Sequence, residues 1–399
     1  MRGRIRAHGA TAPESNNNAG MFGALTHRVL GRLLVTIALV AVTGLAATAR
    51  IANASSTSRS LPIPQLLTGV IGTPLTFVVS TKGGKCSADP CLQLQRTSDN
   101  GTHFTTLHLP PISRAEGSPL GNLGQLIFAN ATDGYAALNM TNSFAWYLTT
   151  DGAKSWHREG TIDGETIVQI APTRDTLYAV IAHCAKKYSC TRYRLARAPL
   201  TAKKWTVETL PAPLSKGGFA LAAYDRNVWA NFQGPRTPRL FVSHDAGHTF
   251  TQSSAPLLGS VSACNLTPTS STALWAECPT GMLASFFYSG DAGVHWTSIS
   301  RFEYSGTGGG AFDPVSSSLA YLDFGPYTAR AKDLYAISGP RHEMTATGNI
   351  ACSSINGLVF KDAKHGLAIC SQNGTNVSTS TYLLRTSDGG ATWIKVSLS

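Results

Sequence analysis

Five copies of one eight-residue stretch constrain this chain more than any other feature. Thr386-Ser387-Asp388-Gly389-Gly390-Ala391-Thr392-Trp393 is the most regular copy. The stretch 243–250 keeps the same grammar, and 289–296, 97–104 and 149–156 follow it more loosely. The shared pattern is a hydroxyl, then Asp two residues on (Asp99, Asp151, Asp245, Asp291, Asp388) and Gly or a small residue four on. An aromatic closes it seven on (Phe104, Trp156, Phe250, Trp296, Trp393). A carboxylate so placed accepts hydrogen bonds from backbone N–H groups of its own turn. Gly supplies positive φ without a Cβ clash, and the aromatic starts a returning strand and packs inward. Three copies follow a short β-type run, such as Leu240-Phe241-Val242, which predicts a hairpin tip. Nothing in the stretch demands chemistry.

A second repeat is independent of the first. After a turn, an apolar or aromatic residue is followed at once by Ala, with the anchors at Tyr135, Tyr178, Trp229, Trp275, Leu319 and Leu367. The intervals of 43, 51, 46, 44 and 48 residues are of the propeller-blade kind. A degenerate seventh copy is expected around Thr76-Phe77-Val78. The aspartates keep phase: Asp151, Asp245 and Asp291 each follow their anchor by 16 residues and Asp388 by 21. Two repeats lack a good copy of the first motif: in 198–205 only the aromatic survives, and 328–335 retains hydroxyl and aromatic. Two locked periods predict one four-stranded unit per repeat, seven in all from about Leu66 to the C-terminus. The expected fold is all-β, a seven-bladed β-propeller of four-stranded antiparallel blades behind an N-terminal signal or anchor helix. Residues 124–129, 218–223 and 348–352 are the expected inner strands lining a central channel.

The eight-residue stretch resembles the Asp-box (BNR) repeat of sialidases, sortilin-type receptors, some glycoside hydrolases and photosystem II assembly-factor-type propellers. In that family the box is a structural hairpin, usually remote from any active site, so the resemblance implies a fold and leaves the chemistry open. A sialidase-like site implies three arginines gripping a carboxylate, a Tyr nucleophile with a Glu partner, and an Asp acid/base. The family's Arg-Ile-Pro near the first blade is replaced here by Leu61-Pro62-Ile63-Pro64. Glu303 and Tyr304, beside Arg301, are the nearest match and fit better as a loop after the fourth box. Five of the remaining acids, Asp133, Asp175, Asp225, Asp313 and Asp362, fall at or near the recurring turns. The others form no set at equivalent inner-strand ends where facing carboxylates would converge. No G-x-S-x-G, H-E-x-x-H or Walker loop occurs. The Gly-rich run 306–310 lacks the Lys of a phosphate cradle and reads as an inter-blade loop.

Composition separates the N-terminus from the rest. Of 399 residues, 43% are hydrophobic and only 14% charged, with formal net charge +11. Residues 1–54 hold six arginines and one acid, Glu14, and without them the net charge falls to +6. Much of the basic bias therefore belongs to targeting rather than to nucleic-acid binding. Leu33–Ala49 is uncharged and largely apolar and follows Arg28 and Arg32; one A-x-A site ends it (47–49) and a second follows it (52–54). It suits a cleaved export signal, or an uncleaved anchor at the lower length limit for a membrane span, and Met21 is an alternative start. The expected division is signal or anchor 1–54, linker 55–65 and propeller 66–399.

All eight cysteines lie beyond this segment, and an even count behind an export signal predicts disulfides. Repeat phasing predicts Cys86–Cys91, Cys184–Cys190, Cys264–Cys278 and Cys352–Cys370, each stapling a hairpin. A zinc site on Cys86 and Cys91 lacks a second ligand pair. Lys186, Lys187, Arg192, Arg194, Arg197, Lys203 and Lys204 crowd the third repeat with no acid among them. They form either a patch for an anionic partner or a solvated strand face. The expectation is an exported, monomeric, non-catalytic propeller that binds a protein or glycan, without cofactor, metal or nucleic acid. The alternatives are a sialidase-like glycoside hydrolase and an assembly factor of the photosystem II type.

Overall fold

The computed structural model describes residues 61–398 apart from 84–90, 114–119, 141–143, 187–188, 209–218, 233–238, 257–263, 281–282, 304–310, 324–332, 340 and 374–378. The predicted signal or anchor segment and most of the linker lie outside the described residues. Among the described residues there is no helix, and 28 strands form seven four-stranded antiparallel sheets. Each sheet takes four consecutive strands in chain order. The blades are β1–β4 (64–107), β5–β8 (123–159), β9–β12 (166–208), β13–β16 (219–253), β17–β20 (265–303), β21–β24 (312–349) and β25–β28 (354–396).

The first strands are the inner ones: β1 touches β5 and β25, β13 touches β9 and β17, and β21 touches β25. Blade 1 meets blade 7 without exchanging a strand. Val78 and Phe104 of blade 1 pack with Leu367, Ile369, Leu383 and Val396 of blade 7. Asn100 Nδ2 donates to the Thr386 carbonyl at 2.7 Å, and Arg385 Nη1 to Thr102 Oγ1 at 2.6 Å. The chain closes into a seven-bladed β-propeller, and closure leaves short outer edges only.

Stacking of blade on blade explains the burial of the second strands. β6 (Gly134–Asn139) and β14 (Asn227–Phe232) are buried along nearly their whole length rather than on alternate residues, because both sheet faces are covered. The repeat anchors lie on second strands, and Tyr135, Tyr178, Trp229 and Trp275 are among the largest fully buried side chains. The degenerate seventh copy is β2 (Thr76–Thr81), with Phe77 fully buried. Phe77 stacks at 3.6 Å on Phe128 of blade 2, and Tyr321 repeats this on Phe360 between blades 6 and 7.

Two expectations need correction. Residues 348–352 do not begin an inner strand: Glu343–Asn349 is β24, the outermost strand of blade 6, and the inner strand of blade 7 is β25 (Ser354–Phe360). Only Gly348 and Asn349 belong to that edge strand, while Ile350 and Cys352 are buried in the link to blade 7, which gives the stretch its apolar look. The boxless turn of blade 6 is not in 328–335 either. The turn between its third and fourth strands follows β23 (Asp333–Ser338) and carries Gly339 at φ +76° and His342 at φ +50°. Tyr335 is a third-strand residue, so the aromatic that suggested a box serves the sheet instead.

Three predicted disulfides are formed: Cys184–Cys190, Cys264–Cys278 and Cys352–Cys370. The fourth predicted pair involves Cys86, which lies outside the described residues. Cys184 and Cys190 are direct partners across β10 and β11. Cys264 and Cys352 instead precede the inner strands of blades 5 and 7 and reach the second strands at Cys278 and Cys370.

Candidate functional site

Antiparallel blades read in chain order have two unlike faces. One carries the turns between first and second and between third and fourth strands. The other carries the second-to-third connections and the links between blades. All five eight-residue stretches lie between third and fourth strands, on the first face. All three described disulfides join strand ends at the opposite face.

Each of the five turns is built in the same way. The leading hydroxyl is buried (Ser243 0%, Thr149 0%, Ser289 1%) and donates to the aspartate at 2.7–2.8 Å. It also accepts from the backbone N–H four residues on, as from Gly247 to Ser243 Oγ at 2.8 Å. The aspartate Oδ1 accepts the backbone N–H of the residue six from the hydroxyl: His103, Ser155, Thr249, His295 and Thr392. The side chain of that same residue meets Oδ2, for example Ser155 Oγ and His103 Nδ1, both at 2.6 Å. Ser, Thr or His occupies this position in all five copies, a fifth regular position of the motif beside the hydroxyl, the aspartate, the small residue and the aromatic. Residues three and four from the hydroxyl both have positive φ, as at Ala292 (60°) and Gly293 (94°). A Cβ on Gly293 would also sit 3.0 Å from Leu240 Cδ2 of the preceding blade, so Gly serves conformation and blade packing together.

The electrostatic consequence is uniform. Backbone and side-chain bonds from His103 hold Asp99 far below the usual carboxylate range, and bonds from Ser155 and Thr249 do the same for Asp151 and Asp245. Partial burial pushes Asp291 upward, but the His295 bonds outweigh it and hold the group at about 2; the Thr392 bonds bring Asp388 to about 2 as well. Such carboxylates stay ionised acceptors at neutral pH and are unsuited to general acid/base work there. The five lie on separate blades. Trp156 and Trp296 reach back to the previous blade, donating through Nε1 to the carbonyls of His108 and Ser254 at 2.9 and 2.8 Å.

The turns also latch onto the first-to-second turn of their own blade. Gly152 N donates to the Thr132 carbonyl, Ala246 N to Arg226, Ala292 N to Thr272 and Gly389 N to Lys364, all at 2.8–2.9 Å.

Other singled-out residues fall elsewhere. Arg301 and Glu303 belong to β20 (Thr297–Glu303), the outermost strand of blade 5, and Tyr304 lies outside the described residues. The basic run of blade 3 is less bare than its sequence suggests. Arg194 pairs with Asp163 and Glu165 at 2.9 and 3.0 Å, and Arg197 with Glu208 at 3.1 Å. Those acids come from β12 (Thr206–Glu208) and the approach to β9 (Thr166–Pro172), brought alongside by the sheet order. Asp313 is not a turn residue. It lies on inner strand β21 (Phe312–Ser316), where its Oδ2 accepts the Phe360 N–H of the next inner strand. Burial among protein atoms pushes its carboxyl up to about 7, although part of its surface stays open to a small cavity of about 80 Å³. Among the described residues, no three His, Cys, Asp or Glu side chains gather in a way that could hold a metal ion.

No family model and no curated protein matches the chain. Solved structures do. The oligogalacturonate lyase of Vibrio parahaemolyticus aligns with a TM-score of 0.53 at 9% identity, covering 82% of this chain and 90% of that one. The likeness is one of fold. YCF48 from Cyanidioschyzon merolae aligns at 0.44 and 13% identity, over 68% of this chain and 84% of that one. A Trypanosoma rangeli sialidase aligns at 0.40 and 13% identity over 82% of this chain, which spans 55% of the sialidase.

Proposed function

We propose that this protein is an exported, non-catalytic β-propeller that binds a protein or glycan through the face opposite its aspartate turns. The supporting observation is the distribution of disulfides: Cys184–Cys190, Cys264–Cys278 and Cys352–Cys370 all pin strand ends at that face. Pinned strand ends present their connecting loops from a rigid base, the usual arrangement for recognition. Disulfides also fit an oxidising, extracytoplasmic setting, which agrees with residues 1–54 acting as export signal or anchor ahead of a propeller at 66–399. In this reading the five turns are Asp boxes of the BNR kind, and their aspartates brace hairpins and do not touch ligand.

The test is a glycan array, joined to a fluorogenic-glycoside screen, on the secreted protein. Saturable binding that is lost when the disulfides are reduced, without turnover, is the expected result. Turnover abolished by a substitution at the channel mouth would make the protein a glycoside hydrolase instead.

A further inference from the structure

Three aromatic anchors on second strands, and Tyr321 two residues beyond the Leu319 anchor, each make a hydrogen bond that crosses to the next blade. Tyr135 Oη donates to the Leu200 carbonyl at 2.8 Å, Trp229 Nε1 to Ala292 at 2.8 Å, Trp275 Nε1 to Ser316 at 2.9 Å and Tyr321 Oη to Ala363 at 2.8 Å. Tyr178 breaks the series. It is the blade 3 anchor and fully buried, yet among the described residues its hydroxyl makes no bond to blade 4 and no hydrogen bond of normal geometry, with the Thr176 side chain as a polar neighbour on its own strand. A buried, unbonded hydroxyl carries a desolvation cost, and natural interiors rarely keep one without reason.

The space around it is unusual too. Tyr178 helps to line a notch of about 680 Å³ between blades 3 and 4, together with Arg174, Asp175, Asp225, Arg226 and Ala246. Ala246 occupies the place in its turn that Ala292 holds in the next blade, where the Trp229 bond is accepted. A second hollow of about 230 Å³ shares Asp175 and Thr176 with the notch and extends it to Arg197, Lys204 and Thr206. Arg197 is already matched by Glu208. That leaves Arg174, Lys204 and Arg226 against Asp175 and Asp225. Blade 3 has also lost the turn aspartate, and its turn presents exposed Lys203 and Lys204 instead. The apolar lining is small, Ala198, Pro199 and Ala246, so the notch suits a polyhydroxylated anion better than a bulky peptide side chain.

We propose that this notch binds the acidic group of a glycan, with a carboxylate or sulfate oxygen accepting the Tyr178 hydroxyl bond between Arg174 and Arg226. Guanidinium groups and a desolvated donor are the residue types that hold such oxygens. The site lies on the aspartate-turn face, so its failure would leave the proposal for the opposite face standing.

Titration calorimetry on the full secreted protein tests it, with a galacturonate hexamer, a sulfated galactan hexamer, a neutral galactose hexamer and hexaglutamate as probes. The acidic sugars should bind, the first or the second more tightly according to whether carboxylate or sulfate is the natural group, and the neutral hexamer should not. The double variant R174A/R226A should weaken binding at least about tenfold, and Y178F about three- to tenfold. Binding should also weaken as salt rises. Y178F keeps the ring and should leave the Tm unchanged or about 1–3 °C higher, because it removes an unbonded hydroxyl. No binding of either acidic hexamer, equal binding of the neutral one, or indifference to R174A/R226A would overturn the proposal. Hexaglutamate binding as tightly as the sugars, or a Y178F Tm lowered by more than about 3 °C, would do so as well.

Discussion

The two faces of the propeller solve the same problem with different chemistry. Every blade ends in turns at both faces, and each turn must be held while neighbouring blades slide into contact. On one face the hold is a buried hydroxyl, an ionised aspartate and a donor six residues from the hydroxyl, closing a local hydrogen-bond net. On the other face, in blades 3, 5 and 7, it is a disulfide. The hydrogen-bonded turn is self-contained, so a blade can lose it, as blades 3 and 6 have, without disturbing the ring. Two of the disulfides, Cys264–Cys278 and Cys352–Cys370, fix the point where the chain enters a blade, and Cys184–Cys190 closes a hairpin within blade 3. The first device makes a turn cheap to repeat; the second makes a strand end rigid wherever the loop beyond it varies.

The largest expected effect separates the faces directly. Replacing Cys264 and Cys278 by Ala should cost about 3 kcal/mol, since the bond closes a loop spanning 14 residues and both sulfurs are fully buried. Removing Cys184 and Cys190, 6 apart, should cost about 2 kcal/mol. Thermal melts with and without reductant measure both, and a reductant-insensitive wild type would show that these bonds contribute little. On the opposite face, Ser243→Ala should cost about 2 kcal/mol, because Gly247 N–H loses its buried acceptor and Asp245 a donor. The melt of S243A should not respond to reductant beyond the wild-type shift.

Acidity sharpens the contrast. The turn aspartates titrate below their unfolded range, Asp291 and Asp388 at about 2. Their contribution is therefore complete above the ordinary carboxylate pKa and fades as pH falls towards 2. Asp313 has the opposite sign. Its folded value of about 7 lies above its unfolded one, so its contribution is complete below about pH 4 and is lost as pH rises through 7. Melts between pH 4 and 9 should show wild type losing roughly 1–2 kcal/mol relative to D313N, because solvent reaching the partly open carboxyl limits the effect. Parallel pH profiles for the two proteins would remove Asp313 as the cause.

The blade count and the turn chemistry were legible because both rest on local, periodic signals. Trp229, Trp275 and Leu367 mark second strands at near-regular spacing, and each aspartate carries its partners within six residues. What stayed hidden depends on neighbours in space. Asp313 looks like any turn acid until the Phe360 N–H of the next blade is beside it. Arg194 seems bare until Glu165 arrives from the turn ahead of β9. Tyr335 mimicked a box aromatic because third strands and returning strands both favour aromatics. The stretch 348–352 mimicked an inner strand because small and apolar residues also suit the end of an outer strand and the link to the next blade.

The smallest expected effect tests whether the aspartate-turn face is tied together blade to blade by the anchor side chains. Tyr135→Phe removes only the bond to the Leu200 carbonyl, leaving the ring and its packing in place. A loss of about 1 kcal/mol is expected, the net worth of one hydrogen bond with its acceptor left at a partly buried site. Tyr178→Phe makes the same chemical change one blade on and should cost nothing, because there is no bond to lose. The pair controls for the phenol itself: equal losses at both positions would mean that the hydroxyl matters through polarity or packing rather than through the bridge to the next blade. Differential scanning calorimetry resolves the roughly 1–3 °C separation involved. If Tyr135→Phe is silent while Tyr178→Phe destabilises, the inter-blade bonds are incidental, and packing of the seven second strands alone holds this face together.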